Sequence, residues 1–208
     1  MELYITLILC FLPLAAGILF SLLKVPSFGP VQAVWAVAAG FASLVPIILI
    51  QFVIKRNFDF APTSLAAVFI SALVFNGFIE ETAKAAFLFL LPVKTAHPSS
   101  FFASALIAGT AVGSFEALIY CIAGTNYSVI RLFTAVVLHA LCSALSCIFI
   151  RTKLQGAPRI AAFVSAVFCH GIYNFFAGFT GFLWWFSVLA IFFALIRLRY
   201  YYTDVFFK

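Results

Sequence analysis

Apolar and polar positions in this chain alternate on the scale of whole segments. Stretches of about 20 apolar residues, the length a helix needs to cross the hydrocarbon of a bilayer, recur seven times, at about 3–23, 31–54, 63–91, 101–123, 129–150, 158–178 and 180–198. Short runs of turn formers separate the first six: KVPSFGP, KRNFDFAP, PVKTAHPSS, GTNYS and RTKLQGAP. The break between the last two, GFTG, is the weakest. The pattern predicts an all-α, polytopic membrane helical bundle of about seven transmembrane helices, forming one transmembrane domain over 1–208. The third segment is longer than a bilayer requires, so it is expected to tilt or to begin as an interfacial turn. No internal repeat and no low-complexity tail interrupts the series.

Composition supports the same class. Hydrophobic residues make up 66% of the 208, charged residues 9%, and mean hydropathy is +1.21; a soluble domain carries about 25% charged residues. The net charge of +6 is therefore a topology signal and not a sign of nucleic-acid affinity, and no nucleic-acid partner is expected. With seven spans, Lys24, Lys94, Arg151, Lys153, Arg159, Arg197, Arg199 and Lys208 fall on one side, and Lys55, Arg56 and Arg131 on the other. Basic residues collect in cytoplasmic loops, which predicts a multi-pass protein of the cytoplasmic (inner) membrane with the N-terminus outside and the C-terminus inside. The basic end, RLRYYYTDVFFK, is expected to anchor the last helix at the anionic leaflet. The first segment lacks the basic start and cleavage pattern of a signal peptide and reads as a retained span. The five cysteines lie in apolar segments without CxxC spacing, as packing residues do.

The chemistry lies in what interrupts the apolar runs. Only six residues are acidic, yet Glu80, Glu81 and Glu116 sit inside spans, as do Lys84, His139 and His170. A carboxylate at mid-bilayer costs about 2.5 kcal/mol or more, so such groups usually face a polar cavity and mark function. At about 1.5 Å per residue, Glu116, His139 and His170 come out roughly 10–17 Å from the outer face, and Glu80 and Glu81 near mid-membrane. All five can meet at one level. Asn76, Glu80 and Lys84 follow i, i+4 spacing, which places Lys84 one turn from Glu80, and His170 and Asn174 share that spacing in HGIYN. An isolated Glu–Lys pair in a span is often a salt bridge and a lone histidine often a packing residue. Seven such groups on four successive spans at one depth point to a site instead. His97, in a loop beside Pro98, reads as solvated.

These side chains suit hydrolysis. A glutamate can take a proton from water and return it to a leaving amine, and histidine or asparagine can donate to a developing oxyanion. Equally, Glu116, His139 and His170 are a ligand set for catalytic zinc with an open position. There is no HExxH helix, and the residues alone do not choose between glutamate catalysis and a metal. A non-catalytic membrane scaffold or assembly subunit could also keep a polar core. A proton-coupled transporter would more commonly show inverted repeats.

The assembled motifs resemble the PrsW family of intramembrane proteases, within the wider CAAX-protease-like (Abi) group of membrane proteins. The resemblance rests on GFIEETAK (an EExxK motif), FEALIY around Glu116, LHA around His139, HGIYN, and VPIILIQFVIKRN ahead of the paired glutamates, covering roughly 44–176. It implies an endopeptidase that cleaves a membrane-anchored, single-span protein near the outer face, as in site-1 proteolysis of anti-sigma factors. By similarity Glu80 and Glu81 form the catalytic pair, His139 and His170 are their essential partners, Lys84 fills the EExxK position, and Asn174 the polar position of HxxxN. Glu116 is followed by Ala117 where such sequences often have asparagine, and the loops are brief.

Overall fold

The computed structural model describes residues 3–57, 64–92, 96–123 and 128–206. They form helices α1 (Leu3–Lys24), α2 (Pro30–Asn57), α3 (Leu65–Ser71), a π-helical stretch (Ala72–Ile79), α4 (Glu80–Phe89), α5 (Pro98–Ile122), α6 (Ser128–Leu154), α7 (Ile160–Ala177), a 3₁₀ turn (Gly181–Trp184) and α8 (Trp185–Phe206). There is no strand among the described residues. Seven helical segments are long and apolar enough to cross a membrane: Tyr4–Lys24, Pro30–Ile54, Leu65–Phe89, Pro98–Ile122, Phe133–Leu154, Ile160–Ala177 and Gly181–Val205. Lys94 and Lys208, used in the charge count, lie outside the described residues, as do the side chains of Lys55 and Arg131.

The helix ends follow local chemistry. Ser64 caps α3 by accepting the Ala67 N–H at 3.2 Å. Pro98 opens α5 at a position where a missing N–H costs nothing. The GFTG break is real: α7 stops at Ala177 and the chain turns through Gly181, whose φ of 68° favours glycine. The last helix runs past the expected end at 198 to Phe206. Beyond the apolar stretch it is held by polar aromatics: Arg197 donates to Ser165 Oγ at 3.1 Å, hydrogen-bonds Tyr201 and lies 4.7 Å from the centre of its ring.

The third span is the irregular one. It is not one uniform helix, because a π-helical stretch lies inside it, directly before Glu80. Such widened turns recur at functional sites. Here the widened stretch crosses α7 at close range. A Cβ on Gly77 would lie 2.5 Å from Val167 O, so glycine lets the two backbones meet, as small residues do in membrane bundles. On the other side of the core, α5 and α6 pack through small α5 residues: a Cβ on Gly113 would lie 2.7 Å from Val136 Cα. A side chain at Gly109 would run into the carbonyl of His139. These two crossings place α7 and α6 against the polar core. Gly77→Ala is therefore expected to force the π stretch and α7 apart, costing about 1–3 kcal/mol. Thermal unfolding in detergent should show the lowered midpoint.

Outward-facing residues are apolar, among them Ile8, Leu19, Leu23, Val45, Leu49, Phe52, Val53 and Leu189, as a lipid-facing surface requires. All five cysteines are free, four of them buried, in line with a packing role. His97 is exposed and hydrogen-bonds Ser99 Oγ at 2.7 Å, away from the polar core.

Candidate active site

Four helices deliver the ionisable groups to one place. Glu80 and Glu81 open α4 as it leaves the π stretch, and Lys84 follows one turn later. Glu116 comes from α5, His139 from α6 and His170 from α7. The two imidazoles meet edge to face with ring centres 4.6 Å apart.

The adjacent glutamates are not equivalent. Glu81 is fully buried, and its Oε1 lies 2.5 Å from Lys84 Nζ and 2.5 Å from His170 Nδ1. Lys84 thus pairs with Glu81 at i, i+3 instead of with Glu80 at i, i+4, because Glu81 and Lys84 share the inward side of α4. Its ammonium also reaches His139 Nδ1 at 3.2 Å. An ammonium can only donate, so His139 Nδ1 accepts, which leaves the proton on Nε2 to be given to Glu116 Oε2 in a short hydrogen bond. On the same logic His170 gives its Nδ1 proton to Glu81 and keeps a lone pair on Nε2. That Nε2 is buried and has no hydrogen-bond partner.

Glu80 turns the other way and retains 15% side-chain exposure. Its Oε1 accepts from Gln51 Nε2 of α2 at 3.2 Å, and its Oε2 faces His170 Nε2 across 3.8 Å. Two acceptors face each other there, at a separation too long for a direct hydrogen bond. Such a gap suits a species that satisfies both, either a water donating two protons or a cation.

The donor set itself suits the cation. One ligand atom each from Glu80, His139 and His170 lies within 4.8 Å of the others, and two histidines with a carboxylate are a common set for catalytic zinc. The unpartnered His170 Nε2 fits a ligand role. The Glu81 carboxylate on the far side of that ring supplies the hydrogen bond that orients metal-binding histidines. Glu80 and His170 offer lone pairs to a metal, and Glu80 groups with the histidines where the sequence suggests Glu116; His139 would join them by exchanging its hydrogen bond to Glu116 or Lys84 for the metal. Glu116 instead holds His139. Asn174 lies beside the site with its amide turned back to His170 O at 3.4 Å. Sequence reasoning did not single out Gln51; its signal was a lone amide in the apolar run VPIILIQFVIKRN.

A family model described as PrsW family intramembrane metalloprotease matches residues 30–198, most of the chain. The chain belongs to the PrsW family. This PrsW protein is an integral, multi-pass membrane protease, a peptide hydrolase acting on membrane protein within the bilayer. No curated protein and no solved structure matches it. The family match runs wider than the stretch of roughly 44–176 that carries the motifs, taking in all of α2 and most of α8.

Proposed function

We propose that this PrsW protein hydrolyses a peptide bond of a single-span membrane protein, with Glu80 as the base that activates water and Glu81 as the group that orients His170. The observation that carries this reading is the pair of facing acceptors, Glu80 Oε2 and His170 Nε2, 3.8 Å apart, with the histidine nitrogen buried and unpartnered. A water donating to both would be aligned and polarised before any substrate arrives. Glu80 then takes a proton as the water attacks the carbonyl, and returns it to the departing amine. Asn174, from α7, is the candidate donor for the developing oxyanion, since His139 gives its Nε2 proton to Glu116 and accepts from Lys84 at Nδ1.

Glu81 and Lys84 do no proton transfer in this scheme. The ion pair fixes the His170 ring, and the second contact of Lys84 fixes His139. Glu80, His139 and His170 are the residues that would hold a zinc ion. When bound, zinc supplies Lewis acidity, lowering the pKa of water and polarising the carbonyl. The substrate reaches the site from lipid between helices, and its scissile stretch must be unwound, because a helix keeps its carbonyls hydrogen-bonded within itself. The protein lies in the cytoplasmic membrane with its N-terminus outside, on the strength of the basic residues at the inner ends of the spans.

The reading is tested with purified protein in liposomes and a single-span reporter, assayed before and after chelation with zinc content measured in parallel. One zinc per chain, with cleavage lost on chelation and restored by zinc, assigns water activation to the metal-binding trio. Cleavage that survives chelation assigns it to Glu80 alone. Reporters left whole across a range of span sequences would overturn the assignment.

A further inference from the structure

We infer that Gln51, on α2, is a positioning residue for the reaction: it holds one oxygen of Glu80 and so dictates which oxygen meets the reacting water. This inference rests on Glu80 acting as the base. Gln51 Nε2 donates to Glu80 Oε1 at 3.2 Å and also lies 3.5 Å from Phe75 O. Phe75 sits within the π-helical stretch. One amide on α2 therefore touches both the carboxylate and the irregular backbone that presents it.

Glu80 needs such a restraint. Glu81 is fixed by an ammonium, an imidazole and complete burial. Glu80 is less enclosed, and neither Lys84 nor His170 lies within hydrogen-bond distance of it among the contacts of the described residues. Its Oε1 is occupied by the amide, which leaves Oε2 as the oxygen 3.8 Å from His170 Nε2. A carboxylate free to rotate would spend part of its time with neither oxygen aligned, and small misplacements at a reacting centre cost roughly 100-fold in rate. The amide also suits its surroundings. Its neighbours on α2, Leu49, Ile50, Phe52 and Val53, are exposed apolar residues, and an uncharged donor is far less costly there than a lysine or arginine would be.

The test is Gln51→Met, which keeps length and removes the donor. Expected are a roughly 10- to 100-fold fall in kcat, a KM within about twofold of wild type, and an unchanged thermal midpoint. In a Glu80→Asp background the shortened carboxylate no longer reaches the amide, so the same substitution should add less than about twofold; coupled residues fail to add in this way. Infrared difference spectra against Glu80→Gln isolate the Glu80 carboxyl band, which should move in Gln51→Met. Equal losses in both backgrounds with a lowered midpoint would make Gln51 only a structural clamp on Phe75 O and overturn the inference, as would an unmoved band with unchanged kcat. A wild-type protein that cleaves, with an inert Glu80→Gln and a fully active Gln51→Met, sinks this inference alone. If wild type cleaves nothing, the proteolytic reading fails, and the infrared band still decides whether Gln51 holds Glu80.

Discussion

Glu80→Gln is expected to lower cleavage roughly 10²- to 10⁴-fold, the contribution of a positioned general base, while leaving the protein at least as stable as wild type. The two effects have one cause. Glutamine is the same shape, and its carbonyl oxygen still accepts from Gln51, where Glu80 Oε1 now does at 3.2 Å. Its amide nitrogen then takes the place of Oε2 and points a donor at His170 Nε2, an atom that is buried without a partner in the native protein. The substitution turns a donor toward a buried acceptor and removes a largely buried carboxylate from the membrane interior. Cleavage rate and thermal midpoint, measured on the same preparation, should therefore move in opposite directions or the midpoint should stay still. A general loss of fold would lower both.

Lys84→Met should do the reverse and destroy stability first. Lys84 is buried, 2.5 Å from Glu81 Oε1 and 3.2 Å from His139 Nδ1. Without it a fully buried carboxylate loses its counter-ion, and breaking such a pair from one side costs about 3–5 kcal/mol. Removing both charges in Glu81→Leu/Lys84→Met should recover much of that loss, because no uncompensated charge remains. The double variant should stay inactive, since His170 has lost the carboxylate that fixes its ring. Denaturation midpoints in detergent are expected to rank wild type and the double variant above the single Lys84 variant. A single variant as stable as wild type would show that the pair is not holding the core together.

The bundle was legible in the sequence because apolar length alone reports a membrane span. Six of the seven spans follow the apolar runs to within a few residues, and the last outruns its apolar stretch, its end held by the hydrogen bond and ring contact between Arg197 and Tyr201. The clustering of Glu80, Glu81, Lys84, Glu116, His139 and His170 was legible too, since each is costly in lipid and all fall at one depth. The pairing among them was not. Regular α spacing sets Lys84 beneath Glu80, whereas the structure pairs it with Glu81. The π stretch from Ala72 to Ile79 has no signature in a sequence read at 3.6 residues per turn. The close crossing at Gly77 depends on α7, which is distant in sequence and invisible to local pattern. Gln51 was missed for a related reason: a single neutral amide in a span is cheap enough to pass as incidental until its partner is seen.

The division of labour between the two glutamates is tested most directly by mass-mapping the fragments of a single-span reporter in liposomes, with wild type, Glu80→Gln and Glu81→Gln side by side. Expected is a cut by wild type at the membrane level of the carboxylates, none by Glu80→Gln despite a native midpoint, and weak cleavage at the same bond by a less stable Glu81→Gln. A reporter cut by Glu80→Gln at the wild-type rate would contradict the assignment of Glu80 as the base.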